Sequence, residues 1–263
     1  MNRRSPCAAW GGFVALALSF GAALAAEIPE AERRSGFDFM SRETQEMQRD
    51  DAANPGMLWV LEGENLWARE PPGAGPSCAG CHGPAPQSMR GVAARYPAFD
   101  ASTNGPMDLQ GRINMCRQDR QGLAPLAWES RELLALTAYV AHQSRGLPIS
   151  SGDDERLAPH RRRGQELYTQ RQGQLNFSCA QCHDDNWGKR LAGAVIPQAH
   201  PTGYPQYRLE WQGLGSLQRR LRNCMVGVRA EPYAFGAREF VELELYLMSR
   251  AKGLIFESPA IRP

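Results

Sequence analysis

The sequence predicts an all-α protein made of two similar domains in tandem, and two observations support this fold class. The first is an internal repeat, in which residues 63–67 (GENLW) are matched by residues 164–168 (GQELY). The second is a pair of segments, residues 131–140 and 238–247, whose apolar side chains recur at helical spacing. That spacing is typical of a helix with one buried face. No strand pattern stands out, so we expect a fold without strands.

A Cys-x-x-Cys-His motif occurs once in each half, at residues 78–82 and 179–183. Two thiols at this spacing add to the vinyl groups of a haem, and the adjacent histidine binds the iron. A zinc site or a redox-active dithiol needs no histidine directly after the second cysteine. The sequence therefore predicts two covalently attached haem c groups. The attachment residues are Cys78, Cys81, Cys179 and Cys182, and the proximal iron ligands are His82 and His183.

The order of elements in each half is helix, haem motif, long loop, distal ligand and closing helix, which is the layout of a class I cytochrome c domain. We therefore expect two tandem class I cytochrome c-like domains from an internal duplication, preceded by an N-terminal arm. The polar stretch 146–163 contains prolines and glycines and predicts the boundary between the domains. The expected ranges are 27–55 for the arm, 56–150 for domain 1 with haem 1, and 151–263 for domain 2 with haem 2 and the active site.

The arm belongs to neither repeat, yet it carries several apolar side chains that predict packing against a domain. These anchors are Phe37, Phe39, Met40 and Met47.

Residues 1–26 have the pattern of a cleavable signal peptide. Arg3 and Arg4 precede an apolar run at 11–22, and small residues at 23–26 offer cleavage sites. A retained membrane anchor is the alternative, but the apolar run is too short to favour it. We therefore expect a periplasmic protein without a membrane anchor.

The charge and the cysteine count of the mature chain limit its function. Removing residues 1–26 takes two of the 30 basic residues and none of the 28 acidic ones, so the two signs balance. This balance does not favour a nucleic-acid surface. The haems use four of the six cysteines that remain. Cys116 and Cys224 are left over, which is unusual in an oxidising compartment unless they are paired or bind a metal.

These two cysteines are candidate distal ligands of the haem irons. When Arg112 is aligned with Arg220, Cys116 falls on Cys224. The shared register favours cysteine ligation of both haems, which a thiolate would shift to low potential.

Three other arrangements remain open at this point. Methionine is the usual distal ligand of electron-transfer cytochromes c, but Met115 precedes its cysteine and Met225 follows its own. A disulfide between the two cysteines and ligation of the second iron by His200 are further alternatives.

Arginines cluster only around the second candidate ligand, which favours the second haem as the reactive one. Arg219, Arg220 and Arg222 precede Cys224 within a single helical stretch. Guanidinium groups suit oxyanions such as sulfate-like groups. The alternative is a solvated helix face whose arginines pair with carboxylates or haem propionates.

Several of these segments together resemble the SoxA family of dihaem cytochromes, from about residue 35 to the C-terminus. They are residues 39–44 (FMSRET), 54–60 (NPGMLWV), both haem motifs and 220–225 (RLRNCM). The resemblance implies an L-cysteine S-thiosulfotransferase, which joins thiosulfate oxidatively to a cysteine of the carrier protein SoxY. Two electrons pass to a c-type cytochrome.

The resemblance also implies roles for individual residues and partners. His183 and Cys224 would be the axial ligands of the active-site haem, with Cys224 catalytic through a persulfide and Arg220 binding the substrate. His82 and Cys116 would bind the other iron. A SoxX-type cytochrome subunit, in a heterodimer, and a SoxYZ-type carrier are the implied partners.

Two other functions are alternatives. A thiosulfate dehydrogenase would couple two thiosulfates to tetrathionate. A non-catalytic dihaem electron carrier would use methionine as its distal ligand.

Overall fold

The computed structural model describes Met1 and residues 28–71, 73 and 75–263, so the predicted signal peptide lies outside the described residues apart from Met1. The helices are α1 Arg42–Arg49, α2 Met57–Ala68, α3 Cys78–His82, α4 Ala85–Ser88, α5 Leu109–Gln121, α6 Arg131–His142, α7 Ala158–Thr169, α8 Cys179–His183, α9 Leu217–Gly227 and α10 Arg238–Arg250. The strands are β1 Ala98–Asp100, β2 Gly105–Met107, β3 Arg190–Leu191, β4 Ala194–Val195, β5 Gln206–Arg208, β6 Gly213–Gly215 and β7 Ala260–Arg262. Within the described ranges, no helix is long and apolar enough to cross a bilayer.

The duplication extends through the whole order of elements. Helices α2 and α3 correspond to α7 and α8, whose residue numbers are 101 higher. Elements β1, β2 and α5 correspond to β5, β6 and α9, whose first residues are 108 higher. The second half thus has seven more residues between its haem motif and its first matching strand, and the β3–β4 hairpin lies in this stretch. The prediction of two similar, mainly helical halves in tandem is confirmed.

Each half is held together by two helices that cross at a glycine. A Cβ atom on Gly63 of α2 would lie 2.1 Å from the carbonyl oxygen of Ala135 in α6. A Cβ atom on Gly164 of α7 would lie 2.0 Å from the carbonyl oxygen of Glu242 in α10. Only glycine permits this approach, which explains why the repeat that marks the duplication contains a glycine at this position. The haem motif follows shortly after the crossing helix in each half.

Short strands supplement the helices, contrary to the expectation of a fold without strands. β1 pairs with β2, and β5 pairs with β6, with the same antiparallel register in both halves. β7 adds to β5 in parallel and completes a three-stranded sheet. Segments of two or three residues are too short to show an alternating pattern, so periodicity could not reveal them. A Tyr-Pro pair precedes both first strands, at 96–97 before β1 and at 204–205 before β5. This repeated pair was the sequence feature that could have indicated matching segments here.

The N-terminal arm packs against the second half and the last strand, as its apolar anchors predicted. The side-chain oxygen of Gln48 in α1 accepts a 3.0 Å hydrogen bond from the backbone of Ile261. The backbone N–H of Arg34 donates to Gln198 Oε1 at 2.7 Å. The ring of Phe39 lies 6.3 Å from that of Trp187.

An acidic pair, of which Asp108 is buried and Glu244 half-buried, lies where the two halves meet. Asp108 caps α5 by accepting a hydrogen bond from Gly111 N–H at 2.7 Å, and it also accepts one from Gln218 Nε2 of α9 at 2.7 Å. Glu244 of α10 lines the same small cavity of about 60 Å³. Burial raises the pKa of Asp108 to about 6. Burial, together with the negative charge of Asp108, raises the pKa of Glu244 well above its ordinary value.

Glu244→Gln is expected to weaken the pH dependence of stability. Both carboxyl groups bind protons more tightly in the folded protein than in the unfolded chain, so stability falls as the pH rises from the ordinary carboxyl range through the raised pKa values of the pair. Above that range, urea titrations should show the variant to be more stable than the wild type by about 1 kcal/mol or more. The exposed Glu231→Gln serves as control. Equal slopes of stability against pH in wild type and Glu244→Gln would contradict the prediction.

Candidate functional site

The first haem motif lines a largely apolar cavity of about 440 Å³. Cys78, Cys81 and His82 lie on its wall together with Cys116 of α5. The remaining wall includes apolar side chains from α2, α5 and α6, among them Trp67, Leu109, Leu136 and Val140. Two thiols and an imidazole on the wall of an apolar cavity are what covalent attachment of a haem c requires, and the Cys116 sulfur is a further candidate to bind its iron. The residues present therefore fit this cofactor.

Next to this cavity, a carboxylate neutralises the arginine that precedes Cys116. Arg112 Nη2 donates to Asp100 Oδ2 at 2.5 Å. Hydrogen bonds from Ser102 and Thr103, together with Arg112, hold the pKa of Asp100 below its ordinary value despite burial. Arg112 also contacts the Met115 sulfur at 3.3 Å, whereas the neighbouring Cys116 lines the cavity.

In the second half, the two predicted axial ligands face each other. His183 Nδ1 donates to the carbonyl oxygen of Pro197 at 2.6 Å, which fixes the ring orientation and leaves Nε2 available. A hydrogen bond links the side chains of His183 and Cys224. The two attachment thiols of this half, Cys179 and Cys182, lie close enough for the charge of Cys224 to raise the pKa of both. The four groups are thus gathered as a second haem c site requires.

The surroundings of Cys224 favour its thiolate. Burial opposes ionisation, but the contact with His183 and the charges of Arg220 and Arg208 outweigh it and lower the pKa of the thiol. Tyr204 also lies close to Arg220 and Arg208, and burial raises the pKa of its phenol. A half-buried sulfur with cationic groups beside it is suited to meet an anionic reactant.

The three arginines of α9 point to different surroundings. Arg219 stacks over Trp211, with its guanidinium carbon 4.3 Å from the ring centroid. Arg222 stacks over Phe235 at 4.7 Å and donates to the carbonyl oxygen of Tyr233. Of the three, only Arg220 is among the charges that stabilise the Cys224 thiolate.

Sequence reasoning missed Arg208 and Tyr204, which the loop after the second haem motif brings to Cys224. Arg208 occupies the position of Asp100 in the repeat, because both are the last residues of matching strands, β5 and β1. The carboxylate that neutralises Arg112 in the first half is therefore replaced by a second arginine. Extending the repeat alignment backwards from Arg220 would have revealed this exchange.

The structure bears on two alternatives from the sequence, a disulfide between Cys116 and Cys224 and ligation by His200. All six described cysteines are free. Cys116 lies beside the first haem motif, and Cys224 lies beside His183 of the second. His200 is buried elsewhere, where its Nδ1 donates to the carbonyl oxygen of Arg34 at 2.8 Å.

The arm also supports the loop that orients His183. Gln198 follows Pro197 directly, and its fully buried side chain accepts from Arg34 N–H at 2.7 Å and donates to the Glu32 carbonyl at 3.0 Å. These bonds anchor the carbonyl that His183 uses.

Gln198→Ala is expected to lower the free energy of unfolding by about 1–3 kcal/mol, because two backbone groups of the arm lose their partners. The exposed helix residue Gln118 gives a control, for which Gln118→Ala should change stability by less than about 0.5 kcal/mol. Denaturant titration followed by circular dichroism measures both. A loss in Gln198→Ala no larger than in the control would contradict the proposed support.

Known proteins are similar over most of the chain. The family described as "SoxA/TsdA, cytochrome c domain" matches residues 62–149 and 163–256. An L-cysteine S-thiosulfotransferase subunit SoxA of Pseudaminobacter salicylatoxidans is 41% identical over 236 residues, which cover 89% of this chain and 82% of the relative. The protein of the same name from Rhodovulum sulfidophilum is 36% identical, over 88% of this chain and 80% of the relative. A solved structure described as SoxXA from P. pantotrophus aligns with a TM-score of 0.83 and 35% identity, covering 88% of this chain and 87% of that one.

Proposed function

This chain belongs to the SoxA family of the SoxA/TsdA cytochromes c, and on that basis we propose that it is an L-cysteine S-thiosulfotransferase subunit. It conjugates thiosulfate to a cysteine of a SoxY-type carrier. The observation that carries this proposal is the convergence of Arg220 and Arg208 on Cys224, which faces His183. The same positions of the first half hold an arginine neutralised by a carboxylate.

We assign one haem c to each half. Cys78 and Cys81 attach the first group, whose iron would be held by His82 and Cys116. Cys179 and Cys182 attach the second, whose iron would be held by His183 and Cys224. When bound, haem c accepts electrons one at a time and passes them on.

The reaction joins the outer sulfur of thiosulfate to the carrier's sulfur. The thiol loses its proton, one sulfur–sulfur bond forms, and two electrons leave, so that thiosulfate and a thiol yield a thiosulfonate adduct, one proton and two electrons. Arg220 binds the dianion through its oxygen atoms. Cys224 is the catalytic cysteine, and its sulfur, as thiolate or persulfide, meets the sulfur of the substrate.

The partners and location follow from the same family membership. A SoxX-type cytochrome would form a heterodimer with this chain and accept its electrons, and a c-type cytochrome would receive them. A SoxYZ-type complex would carry the cysteine to Cys224. Residues 1–26 would direct export to the periplasm and be removed there.

Mass spectrometry of the products tests the function. The haem-loaded protein, its partner subunit and an oxidised cytochrome c are incubated with thiosulfate and a peptide that ends in the carrier cysteine. A thiosulfate adduct on the peptide supports the proposal. Tetrathionate with an unmodified peptide would identify a thiosulfate dehydrogenase instead. Neither product, with haems that still exchange electrons, would identify an electron carrier.

A further inference from the structure

We infer that Arg208 and Arg220 together form a two-guanidinium site for the oxygen end of thiosulfate. This inference rests on the proposed function and adds Arg208 as a residue that determines substrate specificity. The site would take dianionic sulfur oxyanions, and it would leave the outer sulfur of the substrate as the end presented to Cys224.

The duplication allows the residues at equivalent positions of the two halves to be compared. In the first half, Asp100 ends β1 and pairs with Arg112 at 2.5 Å, so a carboxylate stands beside this arginine. In the second half, Arg208 ends β5, and Arg220 takes the position of Arg112. A neutral pair has become a pair of like charges at the position next to the candidate ligand.

The two cationic groups lie close enough to act on each other. Burial lowers the pKa of Arg208, and the charge of Arg220 lowers it further. Like charges held together are unfavourable until a counter-ion arrives, so a bound dianion relieves a repulsion that the first half does not have.

Arg208 is rigidly positioned for this task. Its strand β5 lies between β6 and β7, where Arg208 is opposite Gly213 on one side and Arg262 on the other. The guanidinium carbon lies 5.3 Å from the centroid of the Trp211 ring.

One carboxylate does contact Arg208. Glu210 lies 2.7 Å from its Nε, but the Glu210 side chain is 49% exposed while that of Arg208 is 13% exposed. Solvent screens an exposed carboxylate strongly, so it neutralises the buried guanidinium only in part.

The chemistry of the substrate matches this arrangement. Thiosulfate carries its charge mainly on three oxygens at one end, and guanidinium groups bind such oxygens through paired N–H donors. Two arginines bind a dianion more tightly than one and discriminate against neutral thiols. The same feature explains why the first half, with its Asp100–Arg112 pair, offers no equivalent site.

Equilibrium binding tests the inference. Thiosulfate is titrated into the oxidised, haem-loaded complex without carrier, and binding is followed by calorimetry. Arg208→Gln should raise the Kd at least tenfold. Arg208→Asp should raise it at least a hundredfold, because it recreates the neutral pair of the first half. Arg208→Lys should recover part of the affinity, and the exposed Arg69→Gln should bind like the wild type.

The visible spectrum and the circular dichroism of each variant verify that haem attachment and fold are intact. Wild-type affinity in correctly folded Arg208→Gln and Arg208→Asp would overturn the inference, as would a wild type that does not bind thiosulfate. Failure of the proposed function looks different: the wild type then binds thiosulfate in an Arg208-dependent way but leaves the carrier peptide unmodified.

Discussion

Cys224→Ser is expected to reduce the kcat/KM for conjugation of thiosulfate to the carrier peptide by a factor of about a thousand or more. A serine hydroxyl is not ionised at neutral pH and cannot carry a sulfur atom as a persulfide, although its size and hydrogen bonds are similar. The effect is measured from initial rates of cytochrome reduction in the presence of carrier peptide and partner subunit.

The duplication supplies a matched control for this variant. Cys116→Ser makes the same change at the equivalent position of the first half, beside a neutralised arginine. It should retain the larger part of the activity, although the absorption spectrum of the first haem changes. Equal losses in the two variants would mean that the thiols contribute to haem binding alone.

Asp184→Ala is expected to destabilise the protein by about 3–5 kcal/mol, because it leaves a buried arginine without its partner. Arg250 and Asp184 are each 6% exposed and form two contacts, at 2.5 and 3.2 Å. The Tyr168 hydroxyl also donates to Asp184 at 2.8 Å. Urea unfolding, followed by circular dichroism at pH 7, gives the change.

An exposed ion pair provides the comparison for Asp184. Arg163 and Glu166 lie on the surface of α7 with side chains 50% and 64% exposed, so Arg163→Ala should cost less than about 1 kcal/mol. If Asp184→Ala costs no more than this control, water must reach Arg250 in the variant, and the predicted cost of burying it is wrong.

The sequence was sufficient for the parts of the fold that depend on repeated patterns. The closing helices α6 and α10 have periodic apolar faces, helices α2 and α7 carry the repeated segments GENLW and GQELY, and the haem motifs have fixed spacing. The assignment of the chain to the SoxA family is confirmed by the comparisons. The assignment of Cys116 and Cys224 as ligands stays a prediction, although the geometry brings each to its haem motif.

Other parts of the site could not be read from local patterns. Arg208 contributes through a sheet that joins β5 to β7, strands separated by more than 50 residues in the chain. Neither strand is long enough to show periodicity, so only tertiary structure reveals the contact. The exchange of Asp100 for Arg208 was visible in the repeat alignment. That it replaces an ion pair by two positive charges is seen only from the contact between Arg112 and Asp100 in the structure.

The N-terminal arm has a consequence for the order of folding. Its hydrogen bonds join Arg34 to Gln198 and Gln48 to Ile261, partners 164 and 213 residues apart in the chain. Contacts between such distant residues form slowly, whereas the helices of each half need shorter loops. We therefore expect the arm to dock last, after each half has formed. Hydrogen exchange of the native protein should accordingly show the amides of the arm opening at a lower free energy than those of α6 and α10.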